Sequence, residues 1–190
     1  MVPPVWLLDV DGVINVAEPA WTGAPRRGAA TAEGVGWPLR WSPRLVKRIR
    51  QLHRDGVLEV RWCSTWCAWP EQIARALRMP CLDRAFGDVP DASVAKLAAA
   101  RAVLRGGRRL VWTDDVVVPE PGDLHDELTA GGRALLIRPD PRHGLTPAHL
   151  DAIEAFARAD AIEAEAGADP IEAEARAEET AAEPGLRDTA

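Results

Sequence analysis

The sequence predicts an α/β fold, a three-layer sandwich in which helices cover both faces of a mostly parallel, five-stranded sheet. Three observations carry that prediction. Short apolar runs alternate with helical segments across residues 4–158, the pattern of strands joined by helical crossovers. The first run, Pro4-Val5-Trp6-Leu7-Leu8-Asp9-Val10, is continuously apolar up to its acid, as a strand covered on both faces is. Asp9, Ser64 and Asp114 each stand at the carboxyl end of a run, and open α/β sheets bind ligands outside that edge.

In order along the chain, residues 4–10 form the first strand, ended by Asp11-Gly12. Residues 16–42 hold many Gly, Pro and Ala with little periodicity. They read as a long irregular insertion, with a short hairpin near Trp37-Pro38-Leu39-Arg40-Trp41; connections of that length are usually functional or mobile. Ser42 as N-cap and Pro43 at the first helical position open a helix. Leu45, Ile49 and Leu52 are its apolar stripe and Gly56 its stop. Residues 57–63 are the second strand, Pro70–Leu77 a helix, and residues 80–82 a short third strand. A helix over residues 92–104 is closed by Gly106-Gly107. Leu110–Thr113 is the fourth strand, running into Asp114-Asp115, residues 123–130 are a helix, and Ala134–Ile137 is the fifth strand. Thr146-Pro147 caps a last helix ending about Arg158.

The 190 residues suit one domain of roughly 100–200 residues. Residues 159–190 carry ten acids and two arginines, while the whole chain has a net charge of −6. The acidity therefore belongs to this tail, and residues 1–158, the folded domain, are mildly basic. Ile-Glu-Ala-Glu-Ala recurs at 162–166 and 171–175, a composition with too little apolar area to offset chain entropy. Cys63, Cys67 and Cys81 form no disulfide framework and have no further ligands for zinc; they read as buried, reduced thiols. The first residues show no basic stretch followed by an apolar run and a small-residue cleavage site, and no segment approaches the ~18–20 apolar residues of a membrane helix. The expectation is a soluble, cytoplasmic protein without a membrane partner.

Asp9 and Asp11 are the first chemical signal. Two carboxylates so close repel when ionised and dry, and a divalent cation relieves that. Hard oxygen ligands suit magnesium. One carboxylate can attack phosphorus and the other can donate and later accept a proton. Ser64 and Thr65 place hydroxyls at the end of the second strand, where they either bind a phosphoryl oxygen or cap the following turn. Lys96, early in a helix, either holds charge at such a site or is solvated. Asp114 and Asp115 repeat the acidic strand end.

Together these elements resemble the haloacid dehalogenase-like (HAD) hydrolase superfamily over about residues 5–157. The details are most similar to the HAD domain of Swiss-army-knife RNA repair proteins. Trp62-Cys63-Ser64-Thr65-Trp66, Trp112-Thr113-Asp114-Asp115 and Gly144-Leu145-Thr146 carry that likeness. The resemblance implies a Rossmann-like fold with a minimal cap and a Mg2+ cofactor. It implies Asp9 as nucleophile and metal ligand, and Asp11 as general acid/base with its carbonyl on the metal. Ser64 or Thr65 would bind the phosphoryl group, Lys96 would neutralise charge beside Asp9, and Asp114, with Asp115 as neighbour or substitute, would complete the metal site. The absence of room for a large helical cap in residues 16–42 implies an open site.

The expected function is a magnesium-dependent phosphatase working through an aspartyl-phosphate, with a nucleic-acid phosphate end as a compatible substrate. The alternatives are a small-metabolite phosphatase and a non-catalytic phosphate-binding module. Trp21, Trp37, Trp41, Trp66 and Trp69 either stack on bases or pack the core, the latter being the expectation. Arg44, Lys47, Arg48, Arg50 and Arg54 read as a solvated helix face. The sequence does not specify the oligomeric state.

Overall fold

Val5–Leu8 (β1) is buried along its whole length, and its neighbours explain why. The structure, a computed structural model, describes residues 2–166. β1 lies between Glu59–Trp62 (β4) and Leu110–Thr113 (β6), parallel to both, so that Leu8 is level with Trp62 and with Thr113. Outside β4 runs Asp83–Arg84 (β5), and outside β6 runs Ala134–Ile137 (β7). The sheet is therefore five-stranded and all parallel, in the order β5-β4-β1-β6-β7. Successive strands are laid to one side of β1 and then to the other. That reversal leaves a crevice beyond the carboxyl ends of β1 and β6.

Side chains alternate between two cores. Trp6, Leu8, Val60, Trp62 and Val111 face Pro43–Arg54 (α1), Pro70–Leu77 (α2) and Pro147–Ala166 (α5), meeting Leu45, Ile49, Ile73, Leu77, Leu150 and Ile153. Val5, Leu7, Leu110 and Trp112 face Ala92–Arg105 (α3) and Asp123–Thr129 (α4), meeting Ala100, Val103 and Leu128. Each fully buried Leu or Ile contributes roughly 1.5–3 kcal/mol relative to exposure. α1 starts where expected, with Ser42 Oγ accepting from the N–H groups of Arg44 and Leu45. α3 is capped in the same way by Asp91.

Three expectations change. The insertion is not irregular: Arg26–Ala32 (β2) and Val35–Trp41 (β3) form an antiparallel hairpin in full register. Glu33 and Gly34 turn it, both at positive φ (50° and 76°), as the tight turn favoured by strand twist requires. Ala30, Ala32, Leu39 and Trp41 are buried under it, which is what holds a low-propensity sequence in a hairpin. The third strand lies at Asp83–Arg84 and not at residues 80–82, because Leu82 turns into the core and the polar pair lies on the edge. The last helix continues past Arg158 to Ala166. The chain divides into units Met1–Ala157 and Arg158–Ala190, and the sheet and every candidate site residue belong to the first. The expected acidic tail lies, from residue 167 on, outside the described residues.

Cys63 and Cys67 are buried free thiols, whereas Cys81 is exposed. Among the described residues no helix is long and apolar enough to cross a membrane.

Candidate active site

The residues after the three central strands meet at one edge. The Asp9 N–H donates to the Thr113 carbonyl (3.1 Å) and the Cys63 N–H to the Leu8 carbonyl (2.9 Å). The ladder thus fixes Asp9, Asp114 and the Cys63-Ser64 pair side by side. Lys96, on the second turn of α3, is buried between the two acids. Its Nζ lies 2.5 Å from Asp9 Oδ2 and 2.6 Å from Asp114 Oδ2. Asp9 Oδ1 accepts from the Val10 N–H (2.7 Å), and Asp114 Oδ1 from the N–H groups of Val116 (2.9 Å) and Val117 (2.6 Å). A lone lysine on a helix is usually solvated, so its burial here is the structure's main addition to the sequence signal.

One ammonium cannot serve two buried carboxylates equally. Burial pushes Asp9 up to about 7, offset in part by Lys96 and reinforced by Asp114. Burial also opposes ionisation of Asp114, but Lys96 and the backbone donors outweigh it and hold that carboxyl below its ordinary value. Burial alone would lower Lys96; the charges of Asp9 and Asp114 raise it instead. Asp114 is therefore the fixed anion and Asp9 the adjustable one.

Asp115, half-buried and raised chiefly by burial, brings a third carboxylate. Oxygens of Asp9, Asp114 and Asp115 lie within 4.8 Å of one another. When all three are ionised, three carboxylates against one ammonium leave two negative charges, which one divalent cation would balance. All the donors are hard oxygens. These three residues could hold a metal ion. Gly12 makes room for the third: a Cβ there would lie 2.2 Å from Asp115 Oδ2. Its positive φ of 70° is a second, independent reason for glycine.

Asp11 stands apart from that group. It is exposed, and its carboxylate accepts from Asn15 Nδ2 (2.6 Å) and from the indole Nε1 of Trp66 (3.0 Å). Asn15 Oδ1 in turn accepts from the Arg40 N–H of β3 (2.8 Å). The loop between them is a tight turn, with the N–H groups of Ile14 and Asn15 both on the Val10 carbonyl (2.8 Å each). Gly144 and Leu145 latch it from the far end of the chain. The Leu145 N–H donates to the Val13 carbonyl (3.0 Å), and a Cβ on Gly144 would lie 2.4 Å from that oxygen.

Ser64 is fully buried, with its Oγ in no hydrogen bond although near enough to Asp9 to favour its ionised form. The Thr65–Ala68 turn that follows is closed by the Cys67 N–H on the Ser64 carbonyl (3.0 Å) and by the Ser64 N–H on Cys67 Sγ (3.5 Å). Thr65 is exposed and lines a cleft of about 440 Å³. That cleft is lined also by Asp11 and Asn15, by Trp37 and Leu39 of the hairpin, and by Trp66 and Trp69. Its size is that of a small-molecule site, about 300–1,000 Å³. Trp41 and Trp66 are core residues, whereas Trp37 is 53% exposed. On α1, Arg48 pairs with Asp151 (2.7 Å) and Glu154 (3.0 Å), and Arg50 bonds the Arg78 carbonyl, so that face serves the fold.

Asn15 and Trp66 were not singled out from the sequence as partners of Asp11. Asn15, four residues after Asp11 across a Gly turn, offered a local signal; Trp66, 55 residues away, offered none.

A family model described as the HAD domain in Swiss Army Knife RNA repair proteins matches residues 5–150. The chain belongs to this family. The matched span of the HAD domain takes in every strand and all of Asp9, Asp11, Ser64, Thr65, Lys96, Asp114 and Asp115. The all-parallel sheet agrees with the Rossmann-like HAD fold, and the family points to hydrolase chemistry. Comparisons with curated proteins and with solved structures gave no match.

Proposed function

We propose that this HAD domain is a magnesium-dependent phosphomonoester phosphatase with an open site, and that its substrates include nucleic-acid phosphate ends. The observation that carries this reading is the buried Lys96 between Asp9 and Asp114, with Asp115 beside them. Asp9, Asp114 and Asp115, with the Asp11 carbonyl, would hold Mg2+, which supplies Lewis-acid stabilisation of the phosphoryl oxygens.

In this reading an Asp9 carboxylate oxygen attacks phosphorus in line with the ester oxygen. The P–O bond to the leaving group breaks, and Asp11 gives that oxygen its proton. The unpartnered Ser64 hydroxyl donates to a phosphoryl oxygen, with Thr65 at the rim as the alternative, and Lys96 offsets the charge that accumulates. Asp11 then takes a proton from water, whose oxygen attacks the aspartyl-phosphate, releasing phosphate and regenerating Asp9. Asn15 and Trp66 hold Asp11 at the cleft, where the leaving group would lie. A nucleic-acid end is supported by the family's description and by the exposed Trp37, since bases stack on such rings.

Purified protein with Mg2+ should release phosphate from an aryl phosphate. Asp9→Asn should reduce this by about 10³-fold or more without changing the circular dichroism. Activity that survives that substitution, or survives a chelator, would sink the mechanism.

A further inference from the structure

The hairpin carries a feature that phosphoryl transfer does not use. Arg27 and Arg40 are directly opposite each other on paired strands. Like charges at such positions destabilise a hairpin unless something lies between them. Among the described residues neither side chain has an acid within ion-pair distance. The Nε of Arg40 is buried without a hydrogen-bond partner. Glu18 feels the charge of Arg40, but its carboxylate is already taken by Arg142 (2.6 Å) and faces His143 (3.6 Å).

The two arginines border a second cleft of about 450 Å³. It shares Asn15, Pro38 and Leu39 with the aromatic cleft. Asn15 is the joint: its amide nitrogen is on Asp11, and its oxygen accepts from the Arg40 N–H. The two clefts adjoin along β3 and at Asn15, so a ligand long enough to pass the hairpin edge there would meet two guanidinium groups. Paired guanidiniums match phosphate oxygens in geometry as well as charge.

We infer that Arg27 and Arg40 form a second phosphate subsite, which holds a phosphate group of the substrate other than the one transferred. This rests on the phosphatase reading for its substrate. The group is either the next phosphodiester of a nucleotide chain or a second phosphomonoester of a small bisphosphate; both present the same oxygens.

The test uses Arg27→Ala, an exposed position, with Arg27→Lys as the variant that keeps the charge. Three substrates are compared: an aryl phosphate, a sugar bisphosphate, and a single-stranded octanucleotide with a terminal phosphate. In Arg27→Ala the ratio of kcat/KM for a two-phosphate substrate to that for the aryl phosphate should fall about tenfold, the loss of one charge-assisted contact. Arg27→Lys should recover part of it. A fall with the octanucleotide assigns the phosphodiester, and a fall with the bisphosphate assigns the second monoester.

Binding of the octanucleotide and the bisphosphate to the Asp9→Asn protein gives a readout free of turnover. For the octanucleotide, Arg27→Ala should reduce the slope of log Kd against log salt by about 0.7. If the protein hydrolyses no phosphomonoester, the phosphatase reading falls and this binding arm still decides the subsite. An unchanged ratio, or an equal loss on all three substrates, overturns the subsite. So does a wild-type affinity for neither two-phosphate ligand.

Discussion

The floor of the site and its wall are built on opposite lines. The floor is Asp9, Lys96 and Asp114, buried and each tied by hydrogen bonds at both ends of the contact. The wall is the β2–β3 hairpin, whose tip holds Val35, Gly36 and the exposed Trp37. A parallel sheet holds charges in place because three strand ends and a helix all constrain them. A hairpin inserted after the first strand presents aromatic and cationic groups that are free to meet different ligands. In the proposed reading the sheet fixes the reaction and the insertion governs which molecules reach it.

The contrast breaks most visibly at Lys96. Replacing it by Met keeps volume but leaves two buried carboxylates uncompensated, at about 3–5 kcal/mol of stability. Urea unfolding should show that loss, and added Mg2+ should restore part of it by binding the folded state. Next is Gly12. Alanine there meets the Asp115 carboxylate and sits at positive φ, costing about 1–2 kcal/mol. Turnover should fall by about 100-fold, as misplaced catalytic groups do, and this is measured as kcat at saturating Mg2+.

The wall should respond differently. Trp37→Ala should leave stability within about 0.5 kcal/mol. Discrimination between a nucleoside monophosphate and glycerol phosphate, read as a ratio of kcat/KM, should fall about tenfold with the loss of one stacking contact. An equal effect on both substrates would place Trp37 outside the leaving-group site.

The smallest effect serves as a control at the other end of the sheet. Burial works against the charge on Glu59, but Arg108 (2.5 Å) and Arg61 (2.6 Å) outweigh it and hold its carboxyl below the ordinary 4.5. A depressed folded value means stability that is present above pH 4.5 and lost as pH falls through the lower folded value. Glu59→Gln should cost about 0.5–1 kcal/mol at neutral pH, and the gap from wild type should close in acid. Catalysis should be indifferent to it.

Much of the floor was legible in the sequence because strand ends are a local signal. A continuous apolar run followed by an acid names both an element and the place where it stops, as at Asp9 and Asp114. Lys96 was legible only as a candidate, since burial is a property of the packed structure and not of its helix. The wall was harder to read. Arg26–Ala32 has few strand formers, and its alternation shows only once Ala30 and Ala32 are seen against the core. The slip of the third strand to Asp83–Arg84 has the same cause: a two-residue edge strand is defined by its partners Arg61 and Trp62, not by its own side chains. The hydrogen bond from Trp66 to Asp11 joins segments that nothing in local pattern connects.

The contact of Gly144 and Leu145 with the Val13 carbonyl bears on how the protein is made. The loop after Asp9 precedes every other strand of the sheet, yet it is latched by a segment that follows the last of them. A nascent chain stalled after Ile137 would hold all five strands of the sheet and still lack the contact that closes the loop over residues 10–15. The latch is thus made only when nearly the whole unit has left the ribosome, and a shortened version that drops Gly144 and Leu145 would lose it.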